Sequence, residues 1–350
     1  MAKAFTDIHD QEAPIASLLA LIKKQTIPHA LLFTGIDGIG KATVARRFAM
    51  ALNCGARPDG EIDRLPCGEC RNCRRIDGGL HPDVLLVKPQ GAFIRIDQIR
   101  ALCDTLALRP YEAAVRLAIL QDAQALNPEA GNALLKVLEE PPDATVLILT
   151  ATQTSDLLPT IVSRCRRIRF NPLQRETIAA LLQEGLLKER QQTDPQLAGA
   201  LAAMAGGSYA KAIKMASGDW TARRRWVLGS LGLLEPASMA HLSISHLLAY
   251  AEQLVKAKAH LDDALELIKS WLRDLVVVKY APDKVLHQDL MAGLPKQELG
   301  LNDRELLARY DAVEAAQDAL RANANARLCI ETLVLRMGGR LDDGNLIGEP

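Results

Sequence analysis

Aromatic side chains are scarce in this chain of 350 residues: Trp, Tyr and Phe together make up 4%. With Ala and Leu abundant, that scarcity disfavours an all-β sandwich or barrel and favours helix. Charge of either sign is not in excess, because 42 Lys and Arg face 42 Asp and Glu. No global positive field exists to draw in nucleic acid, so any such contact must come from a local patch. No run approaches the ~18 consecutive apolar residues of a membrane span. The start MAKAFTDIHDQEAP carries neither the basic nor the apolar stretch of a secretory signal. A cytoplasmic protein with no membrane partner is expected. Internal repeats and low-complexity tracts are lacking too. At 24% charged and 49% hydrophobic residues the composition excludes wholesale disorder, and at roughly 150 residues per domain the length allows two to three domains.

Cysteine is used unevenly. Four of the seven fall in NCGARPDGEIDRLPCGECRNC, as Cys54, Cys67, Cys70 and Cys73, a C-x12-C-x2-C-x2-C spacing. A C-x2-C turn brings two thiolates onto one small cation, and four complete a tetrahedral shell, so the natural reading is a closed, structural Zn2+ site spanning 54–73. An iron–sulfur cluster is the alternative, since C-x2-C-x2-C also occurs in ferredoxins. Cys103, Cys165 and Cys329 stand alone and are expected as buried small hydrophobes.

Along the chain, PIASLLALIKKQ (14–25) reads as an amphipathic helix and HALLFT (29–34) as a buried strand. DVLLVKP (83–89), VRLAILQ (115–121) and ATVLILT (144–150) read as further strands, separated by helical stretches at 96–108 and 128–140. Strand and helix in alternation imply a parallel sheet flanked by helices. From about Asn171 the reading is helical: three short helices (173–186, 194–207, 208–218), then a longer block to about Gly339. The expected division is 1–170 as an α/β P-loop domain with the zinc module, 171–218 as a small helical lid domain, 219–340 as an all-α C-terminal domain, and 341–350 as a frayed tail.

Between the first strand and the next helix stands GIDGIGKAT (35–43), a G-x4-G-K pattern in the strand–turn–helix context of a phosphate-binding loop. Gly35, Gly38, Gly40, Lys41 and Thr43 form the candidate nucleotide-binding set. The loop is degenerate. Ala42 replaces the Ser or Thr whose hydroxyl holds Mg2+, and Thr43, one residue on, is turned about 100° away on a helix. LAILQDAQ places Gln121 and Asp122 at the end of a hydrophobic strand, where an ATPase needs two carboxylates. ATP and Mg2+ at this chain's own site are therefore doubtful, and hydrolysis there is not expected.

The runs NALLKVLEEPP (132–142) and LLPTIVSRC (157–165) resemble the core of bacterial clamp-loader subunits of the AAA+ class, and the cysteine insert resembles their zinc module. The resemblance implies a lid and an oligomerising collar after the AAA+ domain. It places Gln121 and Asp122 at the family's magnesium and catalytic acidic positions. It also assigns Ser163-Arg164-Cys165 as the motif whose Arg reaches a neighbour's ATP, and puts Ala210, beside Lys211, where ATPase members carry a nucleotide-sensing Arg. It implies a subunit of a hetero-oligomeric ring with gamma or tau ATPase subunits and a delta subunit. That ring places a sliding clamp on primed DNA for DNA polymerase III, and this chain supplies Arg164 in trans without hydrolysing ATP itself. A guanidinium suits that role, being planar, permanently charged and able to stabilise spread phosphoryl charge.

Basic residues are weighed the same way. Arg164, Arg166, Arg167 and Arg169 are read as crowding one strand on alternating faces. Arg95, Arg100 and Arg109 flank the helix 96–108, which in the family faces the DNA channel, and are candidate DNA contacts beside the plain reading of a solvated face. Arg223, Arg224 and Arg225 are expected on a solvated helix surface. Two rivals stay open: an active motor subunit of the same family, and an unrelated P-loop enzyme such as a nucleotide kinase.

Overall fold

The computed structural model describes residues 5–56, 65–188, 195–216, 220–234, 242–257, 260–291, 302–342 and 345–346. Their contacts gather into two compact units, 1–181 with 205–211, and 182–204 with 212–350. The stretch 171–218 is shared between the two.

The first unit is built on five parallel strands: β1 (Ala30–Thr34), β2 (Val84–Val87), β3 (Arg116–Leu120), β4 (Thr145–Ala151) and β5 (Arg166–Arg169), in the order β2-β3-β4-β1-β5. β3 and β4 are buried along their whole length. Central parallel strands are covered on both faces, which is why they read as unbroken apolar runs. Helices α1 (Glu12–Lys24), α2 (Lys41–Leu52) and α3 (Arg71–Asp77) contribute to one core with Leu31, Phe33, Leu117 and Ile148. Helices α4 (Ile96–Leu106), α5 (Pro128–Glu139) and α6 (Pro159–Arg164) contribute to the other with Leu32, Ala118, Leu147 and Leu149. Each fully buried Leu or Ile contributes about 2 kcal/mol relative to exposure.

Local chemistry sets the boundaries. Asn127 Oδ1 accepts from Ala130 N at 2.9 Å and Pro128 opens the first turn of α5, a cap and a pre-set φ that start a helix. That helix ends just before Pro141-Pro142, since the residue preceding a proline is pushed out of helical geometry.

A buried ion pair, which no sequence pattern announces, ties the start of β3 to the β2 entry. Asp83 is fully buried and Arg116 is 5% exposed. Asp83 Oδ1 accepts from Arg116 Nη2 at 2.8 Å, and the two carboxylate oxygens take the N–H groups of Tyr111, Glu112 and Ala113 at 2.8, 2.9 and 2.9 Å. Arg116 also donates to the carbonyls of Thr105, Leu108 and Arg109. Burial alone would raise the Asp83 pKa, but the N–H groups of Glu112 and Tyr111, the Arg116 guanidinium and the Ala113 N–H together hold it well below the carboxylate range.

The second unit is helical, with one core drawn from Trp220–Ser230, Ile244–Lys256, Leu261–Tyr280, Asp303–Arg321 and Ala326–Met337. Asn302 and Glu305 form a reciprocal capping box at 2.9 and 3.2 Å. Arg224 corrects the expectation of a solvated surface: it is 1% exposed, clasped by Asp289 through two bonds of 2.8 and 2.9 Å and laid over the Trp220 ring. A guanidinium whose charge is neutralised by a two-pronged carboxylate can be buried. Arg225 is exposed and Arg223 half-exposed. Two short strands, Leu341–Asp342 and Asn345–Leu346, pair antiparallel in the segment expected to fray.

Candidate nucleotide loop and metal centre

The phosphate loop follows β1, the strand between β4 and β5. Gly35 N donates to Ala151 O at 3.2 Å and Thr152 O at 3.0 Å. Gly35 has φ +147°, and a Cβ there would come within 2.8 Å of Phe170 O. Gly38 has φ +77°, and a Cβ there would lie 2.4 Å from Ser208 Oγ and 2.6 Å from Ala210 Cβ. Both positions therefore demand glycine. Ala210 N donates to Gly38 O at 3.3 Å, so the 205–211 segment lies directly on the loop.

Gly40, also at positive φ, caps α2, and Lys41 is its first residue, buried at 6% exposure. Lys41 Nζ donates to Gly35 O, to Ile36 O at 3.0 Å and to Asp37 Oδ1 at 3.2 Å. Ala42 is half-buried and Thr43 exposed. At the end of β3, Gln121 N donates to Val87 O at 2.9 Å, and Asp122 adopts a left-handed conformation with its N–H on Thr150 Oγ1 at 3.1 Å. Burial, then the nearby Asp37 carboxylate, raises the Asp122 pKa against the pull of Lys41. Asp37 and Thr150 are absent from the set expected on sequence; Asp37 lies in the loop before α2, where four-residue spacing to a lysine carries no helical pairing signal.

The sulfurs of Cys54, Cys67, Cys70 and Cys73 all lie within 4.8 Å of one another, with Cys67 and Cys73 Sγ at 3.9 Å. Zinc bonded at about 2.3 Å to four thiolates sets its sulfurs roughly 3.8 Å apart, so this cluster could hold such an ion. Backbone N–H groups already point at sulfur: Cys70 N to Cys67 Sγ at 3.3 Å and Cys73 N to Cys70 Sγ at 3.4 Å. Burial would raise the Cys70 thiol, but the Cys73 and Gly55 N–H groups and the neighbouring thiols bring it down to about 6. Burial pushes Cys54 and Cys73 up. Of the remaining cysteines Cys165 is buried, whereas Cys103 and Cys329 are only half-buried, short of the burial expected for them.

Arg164 corrects another expectation. It is the last residue of helix α6, off the strand, because Pro159 starts a helix that runs until Cys165 turns extended. Its Nη2 meets Glu139 Oε1 at 2.6 Å and its Nη1 meets Thr160 O at 3.1 Å. On β5, Arg166, Arg167 and Arg169 are exposed around a buried Ile168. Arg95 caps the start of α4, Arg100 lies on it opposite the buried Ile99 and Leu102, and Arg109 follows it; all three are exposed.

A parallel sheet in this order, with a glycine-rich loop between its β1 strand and α2, defines a P-loop fold of the AAA+ type. The family described as DNA polymerase III, delta subunit, matches residues 10–174. DNA polymerase III subunit delta′ of Bacillus subtilis is 30% identical over 343 residues, covering 96% of this chain and 99% of that protein. Subunit delta′ of Pseudomonas aeruginosa is 42% identical over 139 residues, 39% of this chain and 41% of that protein. Subunit tau of Escherichia coli is 32% identical over 238 residues, 67% of this chain and 36% of that protein. The chain belongs to the delta′ family of DNA polymerase III, the clamp-loader-type subunits of the AAA+ class. Among the described residues no helix is long and apolar enough to cross a membrane.

Proposed function

We propose that this chain is the stator of a clamp-loader ring, a subunit that completes a neighbour's ATP site without turning over ATP at its own. The observation that carries this reading is a well-formed phosphate loop with its chemistry removed. Lys41 is in place, but Ala42 offers no hydroxyl for Mg2+, the exposed Thr43 does not replace it, and only one carboxylate, Asp122, stands at the end of β3. The position of Arg164, half-exposed at the end of helix α6, supports its use by another subunit. Its charge there could stabilise a transferring phosphoryl group, an effect of about 10³–10⁵ in rate for such fingers.

In this reading the partners are gamma or tau ATPase subunits and a delta subunit, and the ring acts on the sliding clamp and primer–template DNA. Residues 171–218 serve as the lid and 219–340 as the collar, the cysteine cluster holds structural Zn2+, and Arg95, Arg100 and Arg109 face DNA phosphates. ATP turnover by the purified chain alone, and by the chain mixed with a motor subunit carrying an intact loop, tests it. Silence alone, with turnover in the mixture that collapses in Arg164→Ala while the ring still assembles, is the expected result. Turnover by the lone chain that vanishes in Lys41→Ala would make it a motor instead.

A further inference from the structure

The Lys41 ammonium has three N–H bonds, and the chain supplies an acceptor for each: Gly35 O, Ile36 O and Asp37 Oδ1. Two of these are neutral carbonyls of the loop. The third is a carboxylate four residues away and 65% exposed, at the open side of a lysine that is itself buried. A phosphate reaching Lys41 must displace that carboxylate and then sit beside it, like charge against like charge. Asp122 adds a second carboxylate close enough to Asp37 for the two to repel. Two acids beside Lys41 place like charge where a polyphosphate would sit, which disfavours its binding. The other side of the loop is closed as well, with Ser208 and Ala210 filling the space above Gly38.

We propose that Asp37 is the residue that sets the loop's selectivity against nucleoside polyphosphates, standing in as Lys41's anionic partner where a phosphate would otherwise bind. This deepens the stator reading, on which it rests: the loop keeps its fold and its lysine because the lysine holds the loop together through its own oxygens. The Asp37 carboxylate is largely exposed and Lys41 keeps its two carbonyl acceptors without it, so removing the charge changes affinity without unfolding the protein.

Equilibrium binding of a ribose-labelled fluorescent ATP to the full chain with Mg2+, followed by anisotropy, tests this. Asp37→Asn, which keeps the shape and removes the charge, and Asp37→Ala should each bind at least about tenfold more tightly than the unaltered chain, a gain of about 1.4 kcal/mol. Adding Lys41→Ala to either should abolish the gain. Equal affinity in the unaltered chain and both variants would overturn the proposal, as would a gain that survives the loss of Lys41. Hydrolysis read in the same samples separates the two ideas. A variant that binds but does not turn over leaves the stator intact, whereas turnover by the unaltered chain sinks the stator whatever the variants bind.

Discussion

Arg116→Leu should be among the most damaging single substitutions in the first unit. The side chain donates Nε and Nη2 to Asp83, Nη1 to the carbonyls of Thr105 and Leu108 at 2.5 and 2.6 Å, and Nη2 to Arg109 O at 2.8 Å. Leucine replaces none of these, leaving three carbonyls without that donor and a buried carboxylate with only backbone N–H partners. Breaking a buried pair in this way costs about 3–5 kcal/mol, against a total of about 5–15 kcal/mol for a typical protein. With a urea m-value of about 2 kcal/mol/M the midpoint should fall by roughly 1.5–2.5 M, read by circular dichroism. Replacing both partners, Asp83→Leu with Arg116→Leu, should cost less than Arg116→Leu alone, because no charge is then stranded. Acid tests the same pair. Since folding depresses the Asp83 pKa, its contribution is present above the unfolded value of about 3.9 and is lost as pH falls from there towards the folded value. The unaltered protein should therefore lose more stability below about pH 4 than the Arg116→Leu variant does. A loss under about 1 kcal/mol in Arg116→Leu, or an acid profile indifferent to the substitution, would refute the role assigned to the pair.

Gly38→Ala, strained at φ +77° and driven into Ser208 and Ala210, should destabilise by about 1–2 kcal/mol from the backbone alone, with steric overlap adding to it; a melting temperature equal to that of the unaltered chain would contradict this packing. Metal analysis should find one zinc per chain, and Cys73→Ser should lose it together with part of the thermal stability; full zinc content in that variant would remove Cys73 from the ligand set. Arg224→Ala strands Asp289 and uncovers Trp220, so a loss of about 3 kcal/mol and a red-shifted tryptophan emission are expected, and an unchanged denaturation midpoint would show that the clasp contributes nothing.

The sequence by itself determined strands β1 to β4 of the first unit and helices α1, α2, α4 and α5 among them, because covered parallel strands must be continuous apolar runs and the prolines and caps between them are local chemistry. It also determined which four cysteines meet, since C-x2-C spacing leaves the thiolates little else to do, and it exposed the missing hydroxyl at Ala42, because a loop motif is a local pattern. Only the tertiary structure decided the rest. Asp83 and Arg116 lie 33 residues apart and Arg224 and Asp289 65 apart, and nothing in either local stretch announces its partner. Arg224 reads as solvated for that reason: a lone arginine in a basic run belongs outside unless a distant carboxylate comes to meet it. Arg164 reads as part of a strand because the short helix α6 runs straight into the short strand β5, and neither carries enough turns of its own period to be told apart. The third partner of Lys41 came only with the fold. It depends on the loop curling until Asp37 and the ammonium face each other, with Ser208 and Ala210, far along the chain, closing the other side.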